Sequence, residues 1–315
     1  MRYYVAGCGG MLGEAVHRVF VERGDTLKCT DIDLNASWLE YCDFRDFDAY
    51  ARSVRDFAPD MLVHLGAHTD LEYCERNPED AYRTNAESVA HAAKIADEAG
   101  IALVYISTAG IFDGTKEVYD EDDRPNPLGV YARSKYQGEQ IASRNPRHFI
   151  GRAGWMMGGG FARDKKFIGK LLRQLASGRR ELQIVNDKLG TPTYTVDFAR
   201  NLRELIDTQH YGLYNMVCAG GTSRLEVAHE LLSILGLDRQ VMIESVSSEH
   251  FAAEYFAPRP DCERLTNRRL DGLGLNRMRD WRVALADYIA DYYADFAAGL
   301  NPDTSRPGNV TLAGA

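Results

Sequence analysis

Apolar residues follow two alternating rhythms through the first half of the chain. Short runs rich in β-branched and aromatic residues predict strands at 2–6, 26–30, 61–65, 102–107 and 148–152. The longer stretches between them, 11–23, 46–57, 78–99 and 131–144, carry apolar residues at helical spacing; in the third, Ala81, Val89, Ala92 and Ala96 share one face with Asn85. Strand, helix and strand in regular succession predict βαβ units, and therefore an α/β fold with a doubly wound parallel sheet over residues 1–152. After about residue 152 the rhythm breaks. Met156-Met157-Gly158-Gly159-Gly160 reads as a loop, 165–177 as a basic helix, and 281–296 as a helix near the end. A smaller C-terminal domain is expected over 153–300, with segments around 191–220, including a β-like run at 214–217, returning to the first domain. Residues 301–315 are small and polar, with Pro302 and Pro307, and are expected to form a disordered tail. There is no internal repeat.

Composition changes this picture mainly by exclusion. At 315 residues and 45% hydrophobic content the chain can bury a large core. Its formal net charge is −9 and no Lys/Arg-rich run stands out, so a nucleic acid polymer is not an expected partner. A small anionic ligand stays open, because backbone N–H groups at a helix N-terminus bind anions whatever the net charge. Cys8, Cys29, Cys42, Cys74, Cys218 and Cys262 are scattered, without a Cys-x-x-Cys pair or His at zinc-ligand spacing, and no metal site is expected. No apolar run approaches the roughly 20 residues that cross a bilayer as a helix, so no membrane association is expected. Tyr3-Tyr4-Val5-Ala6 followed at once by a glycine turn leaves no room for a secretory leader, and a cytoplasmic location with reduced thiols is expected.

The chemistry concentrates at strand ends. Gly7-Cys8-Gly9-Gly10-Met11-Leu12-Gly13 lies between the first strand and the first helix, with glycines at 7, 10 and 13. A dinucleotide pyrophosphate needs that placement: a tight turn, close backbone approach, and free N–H groups at a helix start. Gly7, Gly10, Met11, Leu12 and Gly13 are thus candidate cofactor contacts of a Rossmann-type domain. Asp31 ends the second strand, with Asp33 behind it, where an acid meets the adenosine ribose hydroxyls of NAD. An acid there repels the extra phosphate of NADP and no arginine partner is evident, so NADH is favoured over NADPH; the plainer reading is that either Asp opens a solvated loop. Asp43, followed by Phe44, stands where it could accept from an adenine amino group or simply flank a helix. Tyr131 and Lys135 are four residues apart, hence on one helix face. A Lys cation there is expected to favour the phenolate and bring the phenol toward the working range. Ile106-Ser107-Thr108 ends a strand at the carboxyl edge of the sheet, where Thr108 can hydrogen-bond a substrate carbonyl.

Together these residues resemble the extended short-chain dehydrogenases, and within them the dTDP-4-dehydrorhamnose reductase family, over about residues 1–296. Further matching segments are Leu65-Gly66-Ala67-His68-Thr69, Thr84-Asn85-Ala86, Phe112-Asp113-Gly114, Arg152-Ala153-Gly154-Trp155, residues 185–193 and Arg259-Pro260. The resemblance implies that the reduced cofactor, NADH or NADPH, delivers hydride to C4 of a nucleotide-linked 4-keto-6-deoxy sugar. It implies Tyr131 as proton donor assisted by Thr108 and Lys135, with Lys135 also holding the nicotinamide ribose. Phe44, Gly66, Ala67 and His68 would line the cofactor, while Thr108, Ala109 and Trp155 would meet the sugar in a C-terminal substrate-binding domain. A homodimer is one arrangement it leaves open. The chain departs from the family in one place: an acid and an aromatic usually follow the Ser-Thr pair, whereas here Ala109-Gly110 does. That leaves the preferred sugar open and argues against a sugar-nucleotide 4,6-dehydratase, which needs an acid and a base beside the threonine. The rival readings are a sugar-nucleotide epimerase of the same fold and a non-catalytic subunit resembling the methionine adenosyltransferase β subunit.

Overall fold

The computed structural model describes residues 1–300; the expected tail at 301–315 lies outside the described residues. Six strands follow one another through the first half: β1 (Arg2–Ala6), β2 (Thr26–Asp31), β3 (Leu39–Tyr41), β4 (Met61–His64), β5 (Ala102–Thr108) and β6 (His148–Ala153). With the later strand Gly212–Asn215 they form a seven-stranded sheet, ordered Gly212–Asn215, β6, β5, β4, β1, β2, β3. Every pairing in it is parallel. The chain runs outward from β1 to β3 and then returns to the other side of β1 as β4. The strand order therefore reverses between β1 and β4, and the crevice at their carboxyl ends is where ligands of such sheets bind.

The side-chain alternation of β1 shows why the sheet is covered on both faces. Tyr3 and Val5 enter one apolar cluster with Val16, Val19 and Phe20, while Tyr4 and Ala6 enter another with Tyr50, Val54, Val89 and Ala96. The helices α1 (Met11–Glu22), α2 (Phe47–Phe57), α3 (Leu71–Arg76), α4 (Pro78–Tyr82), α5 (Ser88–Ala99) and α6 (Val130–Ala142) supply those covers. Local chemistry sets several of their ends. Asp46 caps α2 by accepting from the Ala49 N–H, Asp70 caps α3 by accepting from Tyr73, Pro78 opens α4, and Gly100 ends α5 in the left-handed region.

Two sequence expectations need correction here. The stretch 78–99 is not one regular helix, because α4 and α5 are joined by a π-helical turn, Arg83–Glu87. That turn carries Asn85 to a fully buried position, so its place on the apolar face reflects an inward hydrogen-bonding role. The glycine-rich loop at 156–160 is instead the strand Trp155–Met157 followed by the short helix Gly160–Arg163. Trp155–Met157 pairs in parallel with Pro192–Tyr194, a partner that local sequence cannot reveal. Beyond residue 153 two further small pairs form, Leu189–Gly190 with Thr222–Ser223 and Glu181–Val185 with Met242–Val246. Gly212–Asn215 joins the main sheet beside β6, close to the β-like run expected at 214–217.

Candidate active site

The glycine turn closes the crevice at the end of β1. Gly7 takes φ +74°, and a Cβ there would sit 2.3 Å from Gly66 Cα, so the loops after β1 and β4 touch backbone to backbone. The Gly7 and Cys8 N–H groups donate to Thr30 O at 2.9 and 3.0 Å, which fastens the turn to β2. At Gly13 a Cβ would meet Cys8 O at 2.1 Å, so only glycine lets α1 start this close to the turn. No side chain caps α1 at Gly10, which leaves its first N–H groups for an anion. Met11 and Leu12 contribute those N–H groups, while the Leu12 side chain is buried in the core.

Asp31 stands at this turn, with Oδ2 accepting from Gly9 N at 2.8 Å and Oδ1 from Asp33 N at 3.0 Å. Asn35 donates to Gly9 O at 3.1 Å and to Asp33 Oδ2 at 3.3 Å. A cation that sequence reasoning missed also arrives here. Arg163, from the Gly160–Arg163 helix, donates through Nε to Gly9 O at 3.2 Å and through Nη2 to Asn35 Oδ1 at 3.1 Å. Asp43, expected as an adenine acceptor or a helix-flanking residue, accepts from Arg45: Nε reaches Oδ1 at 2.9 Å and Nη2 reaches Oδ2 at 2.8 Å. That two-point clamp, with the hydrogen bonds it brings, holds the Asp43 carboxyl below its usual range. Arg45 continues to Asp80, which accepts from the Tyr73 hydroxyl and faces His68 Nε2 at 2.8 Å. Phe44 packs over Gly66, where a Cβ would strike its ring at 2.2 Å, and Ala67 and His68 follow with partial exposure.

The reactive groups gather at the carboxyl end of β5. Thr108 Oγ1 accepts from Gly110 N at 3.1 Å, and the Thr108 hydroxyl lies near enough to the Tyr131 phenol to favour its ionised form. Burial pushes the Tyr131 phenol up to about 12; the Thr108 hydroxyl opposes this, and the Glu263 carboxylate adds to it. Lys135, one turn along α6, is buried with Nζ 4.3 Å from the centre of the Tyr105 ring. Desolvation brings its ammonium down to about 7, against the attraction of Glu139, which is itself engaged by Arg152 at 2.6 Å. The expectation that Lys135 lowers the phenol is therefore not met in this geometry. A buried ammonium over a ring is itself costly, and it is Thr108 that draws the phenol downward.

The opposite wall comes from the second half of the chain. Trp155 lies flat on Gly190, where a Cβ would come within 2.2 Å of its ring, and its Nε1 donates to Glu263 Oε2 at 2.8 Å. The Arg224 guanidinium sits 3.6 Å over the Trp155 ring and 4.9 Å from Phe167. Ala109 does not face this wall. Its side chain is 1% exposed, packed with Ile111, Phe112, Tyr119, Val217 and Leu265, so the methyl offers no surface to a sugar. Gly110 does face it: a Cβ there would lie 3.5 Å from Thr108 Oγ1 and 3.7 Å from Glu263 Oε1.

The RmlD substrate binding domain family matches residues 1–294. The chain belongs to this family. It is 30% identical to the dTDP-4-dehydrorhamnose reductase of Mycolicibacterium smegmatis over 307 residues, covering 96% of this chain and 89% of that protein. The crystal structure of a dTDP-4-dehydrorhamnose reductase from Clostridium acetobutylicum superposes with a TM-score of 0.83 at 29% identity, over 92% of this chain and 99% of that one. One from Bacillus anthracis, solved in complex with NADP, gives 0.83 at 28% identity over the same shares.

Within this RmlD-family frame, Thr108 and Tyr131 are neighbours at the end of β5, Lys135 lies one turn further along α6, and Trp155 reaches the cleft through its bond to Glu263. Glu263, Arg224 and Arg163 were not foreseen. Glu263 stands three residues after the matching Pro260, yet nothing in its spacing ties it to Gly110. No described helix is long and apolar enough to cross a membrane.

Proposed function

We propose that this chain reduces the 4-keto group of a nucleotide-activated deoxysugar at the expense of NADH or NADPH. The observation that carries the reading is the placing of Thr108 beside the Tyr131 phenol at the carboxyl end of β5, within a sheet whose glycine crevice suits a dinucleotide. The cradle fits the cofactor. A side chain at Gly7 would fill the approach to Gly66, and the uncapped start of α1 offers N–H groups to a pyrophosphate. In this reading Asp31 takes the adenosine ribose, Gly66, Ala67 and His68 line the cofactor, and Lys135 holds the nicotinamide ribose. The reduced nicotinamide, when bound, supplies the hydride that the keto carbon takes up.

The residues of the chain supply orientation and the proton. Thr108 steadies the keto oxygen, and Tyr131, a phenol that keeps its proton across the neutral range, gives that proton to the oxygen as negative charge develops there. The Trp155 indole, braced by Gly190 and Arg224, lines the sugar side of the cleft. Relatives that carry the reductase name favour reduction over epimerisation or a regulatory role. All six cysteines are free thiols, which suits the cytoplasm. Oxidation of NADH and NADPH, followed by absorbance with dTDP-4-dehydrorhamnose and its stereoisomers, tests the reading. Stoichiometric oxidation with one of them is expected; turnover of the ketone without net oxidation would mean an epimerase instead.

A further inference from the structure

The resemblance to the reductases implies an acid directly after the threonine, where this chain has Ala109. Ala109 is sealed into an apolar cluster and Gly110 has no side chain, so the segment itself offers the sugar no acceptor. The space in front of Gly110 is nevertheless not apolar. Glu263, reaching in from the opposite wall, puts Oε1 3.7 Å from the point where a Gly110 side chain would begin, and Thr108 Oγ1 is 3.5 Å from the same point. We propose that Glu263 supplies the hydrogen-bond acceptor that the Ala109-Gly110 segment lacks, binding the hydroxyl on the sugar carbon next to the keto group, with Gly110 keeping the approach open. This rests on the reading of the chain as a 4-keto sugar reductase.

Three features aim the carboxylate. Oε2 is fixed by the Trp155 indole N–H at 2.8 Å, which leaves Oε1 as the oxygen on the Thr108 side. The Glu263 backbone N–H donates to Leu189 O at 2.8 Å, which anchors the residue on the strand whose Gly190 supports Trp155. Glu263 also lies close enough to Tyr131 for its charge to raise the phenol, so it addresses the reacting end of the cleft. Burial raises the Glu263 carboxyl, and the Arg224 guanidinium, the Trp155 indole N–H, Arg259 and Lys188 oppose that rise by favouring its charged form.

The chemistry selects the hydroxyl. With Thr108 and Tyr131 on the keto oxygen at C4, the neighbouring ring carbons are C3, which bears a hydroxyl, and C5, which bears the methyl group. An acceptor beside Thr108 therefore meets the C3 hydroxyl. It holds the ring in one orientation under the hydride donor, so that the loss of either partner lowers kcat/KM.

The experiment measures kcat/KM for the 4-keto sugar nucleotide and for its 3-deoxy counterpart in the wild-type protein, Glu263→Gln, Glu263→Ala and Gly110→Val, with NAD(P)H binding and melting temperature alongside. Both Glu263 variants should lose roughly tenfold to a hundredfold on the hydroxylated substrate, the effect of an unpaired polar group, and much less on the 3-deoxy substrate. Gly110→Val keeps Glu263 and blocks its approach, so it should show the same selective loss even if the Glu263 variants fold poorly. Cofactor binding should not change in any of them. Equal losses on both substrates would reduce Glu263 to a support for Trp155 and overturn the proposal, as would unchanged kcat/KM on the hydroxylated substrate. If the wild-type protein binds NAD(P)H but reduces no 4-keto sugar nucleotide, the reductase reading itself fails. A working wild-type enzyme with insensitive variants removes Glu263 alone.

Discussion

A phenol at about 12 is a weak acid, but it is fully protonated at neutral pH, which is the form a reduction requires of its donor. Tyr131→Phe should therefore lower kcat by about two to four orders of magnitude, the span of a lost general acid, while fluorescence titration shows NAD(P)H binding nearly as before. Wild-type turnover in that variant would take Tyr131 out of its role. Thr108, Tyr131 and Lys135 were legible in the sequence because a strand end and a helical four-residue spacing are local patterns. Their electrostatics were not, because the burial of Lys135 against the Tyr105 ring comes only with the fold. Glu263 was invisible for a similar reason: no local pattern places a residue of one wall opposite a glycine of the other.

At the scale of elements, the π-helical turn between α4 and α5 does most to shape the cofactor wall. It turns Asn85 inward to accept from His68 N at 2.8 Å and to donate to His68 O at 3.1 Å and Ser134 Oγ at 3.0 Å, tying the loop after β4 to α6. Helical periodicity cannot register an inserted residue, which is why 78–99 read as a single helix. Asn85→Ala should cost about 1–3 kcal/mol in chemical denaturation and weaken NAD(P)H binding, because the His68 backbone groups lose their buried partner. Unchanged affinity would show that the loop holds its shape without Asn85. The end of β4 makes a second prediction, about pH. His64 is fully buried between the Tyr50 hydroxyl at 3.2 Å and the Ser88 hydroxyl at 3.1 Å, and burial brings its ring down to about 3. The unfolded chain takes up that proton near 6.5, so it binds more protons than the folded chain between there and about 3. Stability is thus lost as the pH falls through that window and is retained above it. Melting curves should show His64→Gln less sensitive to acid over the same window than the wild-type protein, and identical slopes would remove His64 as the source.

Across the whole molecule the two halves of the chain are joined through one apolar cluster, in which Val16 and Phe20 of α1 meet Phe198, Leu202, Leu231 and Trp281. The alternation of strands and helices made the first half readable, whereas the second is built from pairings between segments far apart in sequence, such as Trp155–Met157 with Pro192–Tyr194. The same long-range folding qualifies the expectation about the cofactor. Asp31 and Asp33 alone would disfavour the extra phosphate of NADPH, and no nearby arginine was apparent in the sequence. The fold supplies one from the second half, Arg163, bonded to Gly9 O and Asn35 Oδ1 beside both acids. Its charge offsets theirs at the edge of the glycine turn, where the adenosine ribose is expected. Arg163→Gln should then weaken NADPH more than NADH. A partly exposed charge contact is worth up to about 1 kcal/mol, so the ratio of the two dissociation constants should shift roughly fivefold and the shift should shrink at high salt. Fluorescence titrations of both cofactors at two ionic strengths decide the point. Equal weakening of NADH and NADPH would mean that Arg163 only braces the glycine turn, leaving Asp31 to set the cofactor preference unopposed.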